Sequence, residues 1–201
     1  MTSDTAHRGN RHGRSEEARR AVLEAADDLL AEKGFAGVTV EGIAARAGVA
    51  KQTIYRWWPS KVDVLLEAFT EDMAEHLTPP DTGDLAADLR THLANLADFL
   101  TTSDPGAVFR ALTGQAQHDP ALATRLRDDH LSHQRTRDRL PLERAVARGD
   151  LSPGLDVDVA VDHLVGPIHY RVLVTGTPVP RAFTDDLVAA FLDRHRNERR
   201  P

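Results

Sequence analysis

The chain is expected to be all-α, and three features carry that expectation. Apolar residues recur at i, i+3, i+4 and i+7 along most of its length, which is the spacing of one helical face. The segments bearing this pattern are separated by Gly, Asp-Pro and Pro-Pro stops. No segment alternates as a half-buried strand would, and Ala, Leu, Asp and Arg outweigh the aromatic residues, which make up 5%.

The elements follow in order. Residues 1–14 are polar and punctuated by Gly, so they read as a disordered basic arm. A first helix is predicted over 15–33, with Val22, Ala26, Leu29 and Lys33 on one face and Ala25 and Leu30 flanking it. Gly34 ends it and Phe35 tucks back. Thr39 is placed to cap a short helix whose stripe is Val40, Ile43, Ala44 and Ala47. Gly48 supplies the left-handed geometry for a sharp turn, and Val49 plugs the angle. The next helix, 50–58, turns Ile54 and Trp58 inward and Lys51, Gln52, Thr53, Tyr55 and Arg56 outward. Pro59 stops it, and Ser60 with Asp63 opens a helix to Leu77 carrying Val64, Leu65, Ala68, Phe69 and Met73.

The break at Thr78-Pro79-Pro80-Asp81-Thr82-Gly83 reads as a domain boundary, dividing a unit of 15–77 from a body of 84–195. In the body, 84–100 carries Leu85, Leu89, Leu93, Leu96, Phe99 and Leu100. Asp104-Pro105 reads as a cap with Pro at the first helical position, opening a helix to Gln117. Asp119-Pro120 repeats that punctuation for a long helix towards Arg148, which Pro141 should kink or divide. A loop over 149–154 precedes a helix of 156–175, stopped by Gly176. The last helix, 180–194, bears Phe183, Leu187, Val188, Phe191 and Leu192.

The segment TVEGIAARAGVAKQTIYRWWPSK, Thr39 to Lys61, concentrates the functional signal. A donor-rich helix face alone is most simply a solvated surface. Here it follows a short apolar-faced helix and an Ala-Gly-Val turn, and it exits through an aromatic-Pro-Ser-Lys sequence. That order is the layout of a helix-turn-helix DNA reader.

From about Ser15 through Leu66 the chain resembles the N-terminal domain of the TetR family of bacterial transcriptional regulators (TetR/AcrR type). The resemblance implies a three-helix DNA-binding domain followed by a helical ligand-binding and dimerisation domain. It implies that Thr39, Tyr55 and Lys61 touch phosphates. Gln52 and Thr53 would face base edges, with Lys51 close to the groove. Arg56 belongs to the same outward face. Two positions depart from the family pattern. Ala50 replaces a Ser or Thr, which removes a helix cap worth about 1 kcal/mol. Trp57-Trp58 replaces His-Phe, with Trp58 as the core aromatic and Trp57 packing along the DNA backbone or against the first helix. Arg8, Arg11 and Arg14 of the arm either reach the minor groove or make no contact.

The stretch DLSPGLDVDVAVDHLVGPIHYRVLVTGTPV also resembles a tetracycline-repressor-like C-terminal domain. The last two helices are unusually apolar. They read as buried core or as a four-helix homodimer interface, the arrangement the resemblance implies and one a palindromic double-stranded operator requires. The resemblance further implies that an unidentified small-molecule effector enters the body and lowers operator affinity, the fourth helix carrying the movement to the reader. Candidate liners are Phe69, Met73, Leu93, Leu96, Phe99, Phe109, Leu112, Gln115, His169 and Tyr170. The competing reading is a ligand-binding or scaffold protein that keeps the fold without regulating genes.

Composition sets further bounds. The net charge is −6, but residues 1–61 hold ten Lys/Arg against eight Asp/Glu, and the remainder fifteen against twenty-three. A slightly basic end on an acidic body suits a chain that meets phosphate at one end only. With no Cys and no long apolar run, the chain is expected in the cytoplasm, away from membranes. His130 and His133 beside Asp128 and Asp129 have metal-ligand spacing, yet an exposed polar face explains them more simply, and no metal or cofactor is expected. Asp27-Asp28 and Asp185-Asp186 are sequence neighbours on helices, so each pair diverges. No nucleophile elbow or phosphate loop appears, and no enzyme is expected.

Overall fold

A computed structural model describes residues 11–195. Its helices are α1 (Arg11–Gly37), α2 (Val40–Ala47), α3 (Lys51–Trp57), α4 (Lys61–His76), α5 (Leu85–Thr102), α6 (Asp104–Ala116), α7 (Pro120–Arg125), α8 (Ser132–Arg148), α9 (Val157–Tyr170) and α10 (Arg181–His195). No strand lies among the described residues, so the all-α expectation holds. The chain divides into two compact units, Met1–Phe69 and Thr70–Pro201.

In the first unit α1 begins at Arg11, so residues 11–14 are helical where an arm was expected; residues 1–10, including Arg8, lie outside the described residues. Gly34 interrupts α1 with a left-handed φ of 66°, the break its lack of a Cβ permits. The core of this unit is Val22, Ala26 and Leu29 of α1, Ile43 of α2, Ile54 of α3, and Val64, Leu65 and Phe69 of α4, all nearly inaccessible to solvent. Lys33, expected on that face, is exposed, because an ammonium loses too much hydration to sit there. Arg46 of α2 reaches back to Glu32 of α1 through two hydrogen bonds of 2.7 Å.

In the second unit α5 is the hub, packing against α6, α8, α9 and α10 through Leu89, Leu93, Leu96 and Leu100. Its cap is Asp84, which accepts from Ala86 and Ala87. Residues 78–83, the expected break, form a turn pinned to the second unit. Arg144 donates to the Pro80 carbonyl at 3.1 Å and pairs with Asp81 at 3.3 Å. Thr82 donates its N–H and hydroxyl to the buried Asp88, at 3.0 and 2.7 Å. Met73 and Leu77 are buried, and His76 lies against Phe99, so the end of α4 belongs to this body.

Two further expectations are corrected. Ser103, not Asp104, caps α6: its hydroxyl accepts from the Gly106 N–H at 3.0 Å and donates to the Phe99 carbonyl at 2.7 Å. A hydroxyl can serve both helix ends at once, whereas a carboxylate only accepts. The long helix is disturbed at a π-helical turn, Leu126–Leu131, rather than at Pro141, which stays buried inside a continuous α8. Leu142 and Ala145, both fully buried, hold α8 in place beyond the missing N–H. A second π-helical turn, Arg171–Thr175, extends α9 to Gly176.

Candidate nucleic-acid interface

The α2–α3 corner is built as its residues dictate. The Thr39 hydroxyl accepts from the Gly42 N–H at 3.0 Å and keeps its own proton for another acceptor. Gly48, at φ 67°, is the left-handed cap that turns the chain. The Ala50 position has no side-chain cap. Ile54 is fully buried, which fixes the roll of α3 and leaves Gln52, Tyr55 and Arg56 exposed and Lys51 and Thr53 half-buried. Burying one isoleucine therefore decides which side chains can face a partner.

The charges on this face are already engaged. Lys51 pairs with Glu41 of α2 and lies over the Tyr55 ring at 5.4 Å. The hydrogen bond to Glu41 holds the Lys51 ammonium above the usual lysine range and the Glu41 carboxyl below its own. The pair with Glu41 competes with a phosphate or a base for the Lys51 ammonium. Arg56 stacks over Trp57, 5.2 Å from the ring, and Trp57 stands edge-on to Trp58 at 5.3 Å.

Lys61 is engaged within the protein itself. Its ammonium donates to the carbonyls of Phe35 and Val38, at 2.7 and 2.8 Å, and lies 4.4 Å from the centre of the Phe35 ring. Burial pushes it below the ordinary lysine range. It ties α4 to the chain between α1 and α2, so two of its three donors are spent before any phosphate arrives.

A network that sequence reasoning missed supports the far end of α3. The Trp58 indole N–H donates to Glu67 of α4 at 2.6 Å, and Arg19 of α1 pairs with the same carboxylate. The only signal for it was a carboxylate at a helical spacing that also carries buried apolar residues.

The second unit contains a cavity of about 430 Å³. Phe109 and His169 line it. Of the other candidates, Leu93, Leu96, Leu112 and Met73 are buried, Phe99 borders a separate pocket beside His76, Phe69 belongs to the first unit, and Gln115 and Tyr170 are exposed. The wall is drawn largely from the end of α6, the π-helical turn after α7, and the facing sides of α8 and α9. Asp138 and Gln134 of α8 line it and are buried, and Asp138 accepts from the Nε2 atoms of both Gln134 and His92, each at 2.8 Å. His169 bonds through Nδ1 to the Val165 carbonyl at 3.2 Å, and burial holds its pKa below the ordinary value. The side chain of His130 lies outside the described residues, and no group of three or more possible metal-ligating side chains lies among those described. No helix among the described residues is long and apolar enough to cross a membrane.

Comparisons with known proteins agree with this geometry. Residues 22–68 match the family model for bacterial regulatory proteins of the tetR family, and residues 79–191 match the tetracyclin repressor-like C-terminal domain. The chain is 42% identical to the HTH-type transcriptional regulator YdeS of Bacillus subtilis, over 87% of this chain and 88% of that one. It is 30% identical to the DNA-binding transcriptional repressor TetR of Mycobacteroides abscessus, over 87% of this chain and 92% of that one. The crystal structure of the TetR family transcription regulator SCO0332 superposes with a TM-score of 0.77 at 37% identity, covering 88% of this chain and 97% of that chain.

Proposed function

The chain belongs to the tetR family of bacterial regulatory proteins, and from that membership we propose a homodimeric repressor that a small molecule releases from a palindromic operator. It is a DNA-binding transcriptional regulator, from a family of regulators rather than enzymes. The observation that carries the reading is the α2–α3 corner: a left-handed Gly48, a fully buried Ile54 and an outward row of donors. In this reading α3 lies in the major groove, with Gln52 and Thr53 at base edges and Thr39, Tyr55, Lys51 and Arg56 at or beside phosphates. Trp57 borders the backbone. The protein acts in the cytoplasm.

The dimer reading has its own support. Apart from Tyr55, every exposed large hydrophobic residue among those described lies on α9 or its π-helical extension: Val159, Tyr170, Leu173 and Val174, up to 68% exposed. A concentrated apolar face on a helix beside α10 suits a copy of itself. Val159→Glu is expected to convert the dimer to monomer on size-exclusion chromatography with light scattering. A variant that stays dimeric would move the interface elsewhere.

The effector reading rests on the cavity. A ligand that binds one form of the dimer better shifts the population away from the operator-binding form by that difference in affinity.

A gel shift with the DNA upstream of the chain's own gene tests the whole. Binding should weaken steeply with salt as phosphate contacts release counterions. Gln52→Ala should cost about 1–3 kcal/mol on the preferred operator and much less on variants altered at the base it reads. Equal losses on every operator would remove Gln52 from the base-reading set. Ligand binding without any DNA retention, even in dilute buffer, would favour the scaffold alternative.

A further inference from the structure

We propose that the cavity of the second unit takes a lipophilic ammonium compound, an aromatic or alkyl body with one cationic amine, recognised by the Asp138 carboxylate. The inference rests on the effector reading above and adds the charge and shape of the ligand.

Three ionisable side chains among the described residues are more than nine-tenths buried: Asp88, His92 and Asp138. Asp88 is consumed by Thr82. Asp138 is not. Its Oδ1 receives both His92 and Gln134, while its Oδ2 receives no hydrogen bond from any described residue, and Asp138 lines the cavity. The Nδ1 of His92 is buried without a partner. The tautomer with its proton on Nε2 donates to Asp138 and leaves only a lone pair unmatched, which costs less than stranding an N–H.

No arginine among the described residues answers this carboxylate. Arg135, which also borders the cavity, is held by Asp162 and Asp158 at 2.7 and 3.2 Å, and Arg137 donates to the Gln134 carbonyl oxygen at 3.2 Å. Arg127 borders the cavity but its side chain is exposed.

The remaining polar atoms ask for the same kind of ligand. The Thr113 hydroxyl is buried, lines the cavity and has no partner. His169 donates Nδ1 to Val165, which leaves its Nε2 as an acceptor. A primary ammonium brings three donors and a positive charge to acceptors lacking donors. Elsewhere the wall is apolar, with Leu126, Val161, Val165 and Phe109, the last standing edge-on to His169 at 5.7 Å. That surface suits a drug-sized hydrophobic body. An anion would face Asp138 with like charge, and a neutral ligand without a donor would bury Oδ2 unmatched.

The test uses the full-length protein and one skeleton with three charges: a biphenyl bearing a four-carbon chain that ends in an amine, an alcohol or a carboxylate. Calorimetry should give the amine an affinity at least about tenfold above the alcohol, with the carboxylate weakest. Asp138→Asn, which keeps the volume, should bring amine and alcohol together. Thr113→Val should weaken both without changing their ratio. Tighter binding of the carboxylate, equal binding of all three probes, no binding by any, or an amine preference that survives Asp138→Asn would overturn the proposal. If the asparagine variant fails to fold, the probe ratio in the unaltered protein and in Thr113→Val still decides. A parallel gel shift separates the two readings. Amine bound in the cavity with no loss of the operator complex would defeat effector release alone; an operator complex with no amine bound would defeat only the ligand class.

Discussion

Replacing Lys61 with Met should lower the melting temperature of the first unit by roughly 10 °C and leave the salt dependence of DNA binding unchanged. The Met side chain retains the apolar stem but withdraws the ammonium from the Phe35 and Val38 carbonyls. Hydrogen bonds to a charged donor contribute about 1.5–3 kcal/mol each when fully formed. Partial exposure lets water replace some of that loss, and recovering the desolvation of the ammonium offsets more, so about 2 kcal/mol is expected. In a unit of this size that corresponds to roughly 10 °C. Both Trp residues of the chain, Trp57 and Trp58, lie in the first unit, so Trp fluorescence follows its melting selectively. If Lys61 instead spends its charge on a phosphate, the melting point will barely move. The slope of log affinity against log salt will then fall by about 0.9. The two outcomes are separable in one preparation, with binding measured at a temperature where the variant is folded.

Gly106→Ala should destabilise the second unit by roughly 3 kcal/mol, a penalty at the upper end for forcing an extra carbon into packed structure. A Cβ at Gly106 would stand 2.0 Å from the Phe99 carbonyl oxygen and 3.0 Å from the Leu100 Cα. Both obstacles are backbone, so no rotamer change relieves them. The start of α6 would have to lift from the end of α5, breaking the double role of the Ser103 hydroxyl. Circular dichroism should record the loss as a main transition roughly 10 °C lower, with the Trp signal less affected. An unchanged transition would mean that the two helix ends separate at little cost.

The same contrast between local and distant causes runs through the rest of the molecule. Thr39, Gly48 and Ile54 were legible because each acts within a few residues: a cap, a turn and a buried face four residues long. The Asp119 cap was legible for the same reason, accepting from the Leu122 N–H three residues on. Ser103 was misread because its second partner, Phe99, lies in the preceding helix, and the Asp-Pro pair offered a sufficient local explanation. The lining of the cavity was not legible, because apolar periodicity marks which residues are buried without saying whether they fill space or border it. His92 and Asp138 each sit at a core register of their helices, and that was their only trace in the sequence, since their bond spans 46 positions.

By itself, then, the chain of residues determined an all-helical architecture, the α2–α3 corner and the outward row from Lys51 to Arg56, since helix periodicity, capping and turn chemistry are interactions between near neighbours. Only the tertiary structure decided that Lys61 points into the protein, that Glu67 ties Trp58 to Arg19, and that an incompletely matched carboxylate borders a cavity. Those outcomes depend on which helices meet, at what distance and with which polar atoms left over. The pattern along any single helix does not contain that information.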